Sequence, residues 1–379
     1  MKKDLGLYLH VPFCIKKCDY CDFLSAAATE EEKEAYVHAL IKEIKSYEKF
    51  AGDYKVSTVF VGGGTPSCLK PEWTKQIFDA VYETFEFVKR PEITMEMNPG
   101  TVDKEKLEAY KACGINRLSI GLQSTKNENL RLLGRIHTYE EFLETYKLAR
   151  EAGFTNINLD LMSSLPGQTK EEWEEELYKA IELNPEHLSV YQLIIEEGTP
   201  FYDKYDAHPE LLPDEEESRM IYENTRRILK ENGYGQYEIS NYAKPQKECK
   251  HNLRYWERGE YLGIGLGAAS LIQNMRMNNT REMKEYLEKS AVPKTMRKDV
   301  EFLERQQQIE EFMFLGLRKT YGISKKEFHR TFGREMEDVY GKTLKKFIEE
   351  GMIKEKKDRI FLSEDGVLVS NQILSEFLF

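Results

Sequence analysis

The segment Cys14-Ile-Lys-Lys-Cys18-Asp-Tyr-Cys21 places three cysteines within eight residues near the start of a 379-residue chain. Three thiolates at this spacing can each bind one iron of a [4Fe–4S] cluster, and the fourth iron is then left to bind another molecule. Zinc is the main alternative, with His10, four residues upstream, as the fourth ligand. Disulfides are disfavoured, because the chain starts without a secretory pattern and a cytoplasmic protein keeps its thiols reduced. The spacing therefore predicts a metal centre and favours an iron–sulfur cluster.

Strand and helix patterns alternate from residue 5 to about residue 240. Runs rich in Val, Ile, Leu and Tyr predict strands at Gly6–Val11, Val56–Val61, Glu92–Met97, Arg117–Leu122, Asn156–Leu161 and His187–Ile194. Amphipathic stretches predict helices at Glu31–Phe50, Pro71–Phe85, Lys104–Ala112, Tyr139–Glu151 and Lys170–Glu182. The last stretch follows Thr169, which forms a capping-box pattern with Glu172. Connections of this length between strands predict a parallel sheet.

Polar residues fall at or just beyond the carboxyl ends of successive predicted strands. They are Cys14, the segment from Gly62 to Thr65, Glu96, Asn98, Gln123 and Asp160. In a barrel every βα loop contributes to one rim, whereas a doubly wound sheet places such residues only where the strand order reverses. We therefore predict an α/β fold built on a partial (β/α)6 TIM-like barrel.

The pattern of the chain changes after Tyr242. We predict a barrel at residues 1–240, a connecting segment at residues 241–300 and a C-terminal domain at residues 301–379. In this last part, Gly351–Lys354 and Arg359–Leu362 predict a hairpin that follows helices, as in a winged helix. The net charge of −11 argues against broad binding of nucleic acid, so we expect a structural or partner-docking role for this helical, winged-helix-like domain.

A glycine run, Gly62-Gly63-Gly64-Thr65-Pro66, follows the second predicted strand. Glycines let a backbone approach a ligand and direct consecutive N–H groups at it, but the same run also suits a simple tight turn. A phosphate-binding loop would continue into Gly-Lys-Ser/Thr, and Pro66-Ser67-Cys68 stands there instead. Its place on the same rim as the cysteines makes this run a candidate binding loop.

The pattern Tyr8-x-His10-x-Pro12-Phe13-Cys14-x-x-x-Cys18-x-Tyr20-Cys21, followed by the glycine run, resembles the radical S-adenosylmethionine (SAM) enzymes. In that superfamily the open iron of a [4Fe–4S] cluster chelates the amino and carboxylate groups of SAM, and an electron from the cluster cleaves SAM to a deoxyadenosyl radical. The resemblance covers nearly the whole chain and implies that Cys14, Cys18 and Cys21 bind the cluster. It implies SAM contacts at Tyr8, Tyr20, Gly63, Gly64, Thr65, Glu96, Gln123, Arg135 and Asp160.

These side chains suit SAM chemically. The guanidinium of Arg135 can pair with the SAM carboxylate in a forked geometry. Glu96, Gln123 and Asp160 offer acceptors for the ammonium group and the ribose hydroxyls, and the two tyrosines can pack beside adenine or the cluster.

Among these enzymes the chain is similar to oxygen-independent coproporphyrinogen III oxidases, with one departure. The oxidases have a further cysteine two residues after the third, where this chain has Phe23. The segment His251-Asn252-Leu253-Arg254-Tyr255-Trp256 matches instead the His-Asn-x-x-Tyr-Trp pattern of HemW-type heme chaperones. The resemblance thus implies heme binding and transfer to apo-hemoproteins. Coproporphyrinogen decarboxylation is the alternative, and a zinc-stapled binding protein is a third hypothesis.

His251 is the first candidate for a heme ligand. Imidazole can bind heme iron, and the rings of Tyr255 and Trp256 can cover a porphyrin face. A lone histidine more often has a structural role, so that interpretation stays open.

The resemblance also implies partners and a location. The expected partners are heme, apo-hemoproteins of the respiratory chain and a reductant such as flavodoxin or ferredoxin. We expect a cytoplasmic protein, with peripheral attachment to the inner face of the membrane and homodimer formation as further expectations. Nucleic acid is not an expected partner, because the chain is acidic.

Overall fold

Six parallel strands form the centre of the computed structural model, which describes residues 2–379. They are β1 (Lys3–Val11), β2 (Tyr54–Gly63), β3 (Phe87–Met97), β4 (Arg117–Gln123), β5 (Ile157–Ser163) and β6 (His187–Gln192). β4 is buried along its whole length, and β5 nearly so. Strands enclosed on both faces require continuous apolar runs, which is why the sequence pattern located them. All six predicted strands are confirmed, and their ends differ most at β3, which starts at Phe87 instead of Glu92.

Helices follow each of these strands. They are α1 (Glu30–Ser46), α2 (Glu48–Ala51), α3 (Pro71–Thr84), α4 (Lys104–Ala112), α5 (Asn127–Leu132), α6 (Tyr139–Glu151), α7 (Lys170–Glu182), α8 (Pro200–Tyr205) and α9 (Glu215–Glu231). α7 starts with the predicted capping box between Thr169 and Glu172. The same reciprocal hydrogen bonds start α1, α6 and α9, where Thr29, Thr138 and Asp214 are the N-caps. Each box satisfies N–H groups that the first helical turn leaves without partners.

Residues 235–302 extend both edges of the same sheet. They form β7 (Gly235–Glu238), β8 (Asn241–Ala243), β9 (Tyr261–Ile264), β10 (Ala269–Ile272), β11 (Met275–Asn279) and β12 (Arg297–Phe302). The strand order is β12-β11-β10-β9-β1-β2-β3-β4-β5-β6-β8-β7. Here β9 pairs parallel with β1, and β8 pairs antiparallel with β6. In the described chain β1 and β6 therefore do not pair with each other, which confirms the prediction of an incomplete barrel.

The segment predicted as a connection, residues 241–300, contributes β8 to β12 to the main sheet. It also contains α10 (Lys250–Trp256) and α11 (Met283–Lys289). Strands of three to six residues carry little periodic signal, so the sequence pattern did not reveal them. The predicted boundaries at residues 240 and 300 stay a prediction, but this segment belongs structurally to the sheet that carries the barrel strands.

The C-terminal region is formed by α12 (Arg305–Gly316), β13 (Ile323–Ser324), α13 (Lys325–Phe332), α14 (Met336–Glu349), β14 (Ile353–Lys356), β15 (Arg359–Leu362), α15 (Glu364–Leu368) and α16 (Ser370–Ser375). β14 and β15 form the predicted hairpin, and β13 pairs with the other edge of β15. Phe328, Tyr340 and Phe347 belong to an apolar core that is separate from the core beneath the main sheet. The predicted helices and hairpin of this region are confirmed. Across residues 2–379, no helix combines the length and hydrophobicity that a membrane span requires.

Candidate cluster and cofactor site

The three clustered cysteines lie in the loop that follows β1, at the carboxyl end of that strand. The Cys14 N–H donates to Ala26 O at 3.0 Å, and the Asp19 N–H donates to Leu133 O at 3.2 Å. These bonds fix the loop both to the chain that follows it and to the segment after α5. All three thiols are partly exposed, and none is in a disulfide. The loop therefore holds free thiols at the rim where the strands end.

Two polar side chains donate hydrogen bonds to the cysteine sulfurs. Thr65 Oγ1 donates to Cys14 Sγ at 3.5 Å, and Arg135 Nη1 donates to Cys18 Sγ at 3.5 Å. Hydrogen bonds and a nearby positive charge stabilise thiolates and tune the sulfurs around a metal. This donor set fits a cluster held by three thiolates, and ligation by Cys14, Cys18 and Cys21 stays a prediction.

The same region does not suit zinc. His10 Nδ1 lies 3.0 Å from Tyr8 OH, and His10 Nε2 lies 2.9 Å from Leu24 O, so both ring nitrogens are already hydrogen-bonded. Within residues 2–379, no three side chains of His, Cys, Asp or Glu converge as a single metal ion requires. A cluster differs in this respect, because each thiolate binds a different iron and the sulfurs need not meet at one point. The hydrogen bonds of both ring nitrogens thus count against His10 as a fourth zinc ligand.

The glycine run packs against the cysteine loop and does not direct free N–H groups at a ligand. The Gly63 N–H donates to Glu96 Oε2 at 3.1 Å. The Gly64 N–H donates to Val11 O at 2.8 Å, and a Cβ on Gly64 would lie only 2.5 Å from Phe13 O. The N–H groups of Gly63 and Gly64 are therefore satisfied within the protein, and the role of the run as a binding loop stays a prediction. Glycine is needed here because two backbones come closer than a side chain allows.

Gly64→Ala is expected to displace the backbone at Phe13 and Cys14, and overpacking of this kind destabilises by about 1–3 kcal/mol. The free energy of unfolding and the iron content after reconstitution should both fall. Gly341→Ala is the matched control, since a Cβ there meets no atom within 4 Å and alanine favours a helix. Equal stability and equal iron content in the two variants would contradict the expected role of Gly64.

Asn98 joins the glycine run to Arg135. Asn98 Nδ2 donates to Thr65 Oγ1 at 2.7 Å. Arg135 Nη2 donates to Asn98 Oδ1 at 2.7 Å and to Gly121 O at 2.9 Å. Both terminal nitrogens of Arg135 are thus engaged within the protein. The predicted forked pairing with a SAM carboxylate would require Arg135 to exchange at least one of these contacts.

The sequence pattern indicated no role for Gly121. It placed Asn98 on the rim but indicated no role for that side chain either. A Cβ on Gly121 would lie 2.8 Å from Asn98 Oδ1, 3.1 Å from Arg135 Nη2 and 3.2 Å from Gln123 Nε2. Three polar side chains therefore converge over this glycine. A glycine inside a predicted strand was the available signal, because it often marks a bulge or a close approach. The pairing register of β4 with β5 does shift between Gly121 and Gln123.

Two carboxyl groups lie near each other at the rim. Burial raises the pKa of Glu96 to about 8, with the Asp160 carboxylate adding to the rise and Arg117 opposing it. Asp160 accepts hydrogen bonds from Asn158 Nδ2 at 2.7 Å and from Ser119 Oγ at 3.2 Å, and burial raises its pKa as well. A cationic group placed beside this pair would offset the cost of ionising it. The pair therefore suits a cationic ligand, and its contact with SAM stays a prediction.

The two predicted tyrosines are also part of this region. Tyr8 OH is hydrogen-bonded to His10, and burial followed by the Glu96 charge raises the pKa of the Tyr8 phenol. Tyr20 packs edge-to-face against Phe201, with ring centroids 6.4 Å apart. Burial raises the pKa of Tyr20 and the Arg135 charge opposes that rise. The structure brings the predicted SAM-contacting residues to one rim, and their contacts with SAM stay predictions.

His251, the candidate heme ligand, is fully buried in α10. Its Nδ1 lies 2.9 Å from Thr58 Oγ1 and its Nε2 lies 2.8 Å from Tyr255 OH. Its ring stacks on Phe60 at a centroid distance of 5.4 Å. Burial, followed by the charge of Arg254, lowers the pKa of His251 to about 3, so the ring is neutral. This geometry does not support iron ligation by His251, because Thr58 or Tyr255 would first have to be displaced.

Comparisons with known proteins place the chain in a family. Residues 8–179 match the Radical SAM superfamily, and residues 303–369 match the HemN C-terminal domain. The chain is 37% identical over 376 residues to the heme chaperone HemW of Bacillus subtilis, with 98% of each chain covered. It is 38% identical over 386 residues to the heme chaperone HemW of Escherichia coli, with 99% of this chain and 98% of that one covered. The chain belongs to the HemW family.

The fold of this HemW-family protein is similar to that of a solved structure. Coproporphyrinogen III oxidase (HemN) of Escherichia coli, a radical SAM enzyme, aligns with a TM-score of 0.84 and 27% identity. The alignment covers 99% of this chain and 90% of HemN. A [4Fe–4S] cluster and SAM are the cofactors of the radical SAM superfamily, and the rim residues from Tyr8 to Asp160 all fall within the matched range.

Proposed function

We propose that this HemW-family protein binds heme and delivers it to apo-hemoproteins, with a [4Fe–4S] cluster and SAM at the rim. The relatives named heme chaperones in Bacillus subtilis and Escherichia coli match it over nearly their entire length. When bound, the cluster supplies the electron for reductive cleavage of SAM. The chain's own contribution at this rim is to hold the thiols in place, donate to their sulfurs and offer acidic partners for a cation.

Phe23 carries the proposal over the oxidase alternative. The oxidases have a cysteine at this position, and the Phe23 side chain, two residues after Cys21, is 68% exposed. Phenylalanine can neither ligate a metal nor donate a hydrogen bond. Coproporphyrinogen decarboxylation is therefore the second candidate function. The fold shared with HemN supports it, but this chain lacks the cysteine that the oxidases have at the position of Phe23.

The proposal extends to partners of stated kinds. We infer that the recipients are apo-hemoproteins of the respiratory chain, that flavodoxin or ferredoxin reduces the cluster, and that the protein works in the cytoplasm at the membrane face as a homodimer. Ile15 lies in the cysteine loop and Ile136 follows Arg135, and both have exposed apolar side chains. They offer a contact surface for one of these partners. Size-exclusion chromatography tests the homodimer, and vesicle flotation tests the location at the membrane face. A monomer that never associates with vesicles would contradict both of these inferences.

Heme transfer tests the function directly. Reconstituted protein loaded with heme is mixed with an apo-hemoprotein, with and without SAM and a reductant, and both heme transfer and deoxyadenosine release are measured. The proposal predicts stoichiometric heme binding, transfer to the recipient and no conversion of coproporphyrinogen III. Catalytic conversion of coproporphyrinogen would favour the oxidase alternative. Failure to bind heme at all would contradict the proposed function.

SAM binding near pH 7 is expected to release a proton from Glu96. Its pKa of about 8 keeps it mostly protonated without a ligand, and a bound cation would lower that pKa, releasing up to about one proton. Calorimetry in buffers of different ionisation enthalpy measures the protons released, and Glu96→Gln should release up to about one proton fewer than wild type. Because the folded pKa lies above the ordinary value of 4.5, the ligand-free protein should also lose stability as the pH rises from about 4.5 to about 8, with no further loss above that. The same slope in Glu96→Gln would contradict the assignment.

A further inference from the structure

A cleft of about 780 Å³ separates the main sheet from the C-terminal region. Ser57 and Arg90 line it from the early parts of β2 and β3, Leu253 and Trp256 line it from α10, and Phe312 and Lys319 line it from the C-terminal side. Asp4, near the start of β1, is also in its wall. The cysteine loop follows the opposite end of β1, about 23 Å further along the strand. The cleft is therefore distinct from the cluster site and has the volume of a ligand pocket.

Positive charge dominates the groups of this cleft that lack a protein partner. Arg90 and Lys250 are exposed in its wall, and within the described residues neither forms an ion pair with a carboxylate. Lys319 is 6% exposed, and its carboxylate partner Glu257 lies 3.6 Å away. Burial lowers the pKa of Lys319, and Glu257 opposes that change. A ligand that brings carboxylates would pair with these cations.

Two buried donors in the same wall also lack acceptors. Trp256 Nε1 and Arg254 Nε have no hydrogen-bond partner, although the other Arg254 nitrogens are paired with Asp4, Ser57 and the Glu260 carbonyl. The wall also has apolar and aromatic side chains, among them Leu253, Trp256, Phe312 and Ile323, beside the charged Glu257, Arg258, Glu327 and Arg359. The cleft thus places the exposed Arg90 and Lys250 beside aromatic side chains on which a flat apolar body can pack.

We propose that this cleft binds the carboxylate edge of a planar dianionic macrocycle, and that in this protein the macrocycle is heme held by its two propionates. The inference rests on the proposed function and identifies the site at which that function begins. The site needs no iron ligation by the buried His251, since α10 supplies Lys250, Leu253 and Trp256 to the wall.

A paired titration tests the site. Wild type, Arg90→Glu/Lys250→Glu and the control Lys104→Glu/Lys147→Glu are titrated with heme and with heme dimethyl ester, and binding is followed by absorbance. The control changes the net charge equally at lysines that are 79% and 75% exposed and lie outside the cleft. Wild type and control should bind heme at least about tenfold more tightly than the ester, and the cleft variant should lose that preference.

The outcomes separate the site from the function. Heme binding by wild type that is unchanged in Arg90→Glu/Lys250→Glu, with no preference for the diacid, would overturn the site and leave the heme chaperone function standing. Equal weakening in the cleft variant and the control would show a general charge effect and would also overturn the site. Absence of heme binding in wild type would overturn the proposed function and this inference together.

Discussion

Cys18→Ala is expected to abolish the broad brown absorbance near about 400 nm that an anaerobically reconstituted [4Fe–4S] protein shows. With one of three thiolates removed, the remaining two leave a further iron without a protein ligand, and Arg135 loses the sulfur to which its Nη1 donates. Iron and sulfide content should fall to a small fraction of the wild-type values, and SAM-dependent deoxyadenosine release should disappear. The measurement is iron and sulfide analysis together with the absorbance spectrum.

Cys113→Ala is the matched control for this experiment. Cys113 is buried near the end of α4, away from the cysteine loop, and burial raises the pKa of its thiol. Its removal should leave the iron content and the spectrum unchanged. Equal loss of iron in the two variants, or a full cluster in Cys18→Ala, would contradict a cluster held by the three clustered cysteines.

Glu92→Ala is expected to lower the free energy of unfolding by about 3 kcal/mol, because it leaves buried donors without an acceptor. The Glu92 carboxylate accepts from the N–H groups of Lys250 and His251 at 3.1 and 3.0 Å, and Cys249 Sγ lies 3.6 Å away. α10 has no side-chain cap of its own, so a carboxylate from β3 takes that role at its positive end. Chemical denaturation measures the loss.

Glu86→Ala provides the comparison for Glu92. Glu86 precedes β3 and is exposed, and its carboxylate pairs with the exposed Lys2 and the half-buried Lys55. Exposed ion pairs contribute little to stability because water and salt screen them. A small change in Glu86→Ala beside a large loss in Glu92→Ala is the expected pattern. Similar losses in both would show that Glu92 does not anchor α10.

Heme affinity should also fall in Glu92→Ala, since α10 lines the proposed cleft.

The barrel strands and most of their helices could be predicted because their signal is local. β4 and β5 are buried runs of seven residues, and Thr169 with Glu172 marks the start of α7 within four positions of sequence. The rim followed from the same pattern, since residues just after parallel strands meet at one edge. Family-specific motifs then located the cysteines and the glycine run.

Other features depend on pairings that a local pattern does not contain. β9 joins β1 across more than 250 residues of chain, with Tyr261 opposite Gly6. The N–H groups of the glycine run are taken up by Val11 and Glu96, which lie on other strands. The helix that carries His251 was not predicted, and the enclosure of His251 by Thr58 and Phe60 follows from the packing of α10 on β2. Each of these outcomes is set by tertiary contacts.

Electron paramagnetic resonance of the reduced protein, recorded before and after the addition of SAM, tests the central claim most directly. A cluster held by Cys14, Cys18 and Cys21 has one iron without a protein ligand, so SAM should shift the signal of the reduced cluster. The shift should be present in wild type and in Cys113→Ala. A cluster signal that does not respond to SAM, or reduced protein that gives no cluster signal at all, would contradict the claim.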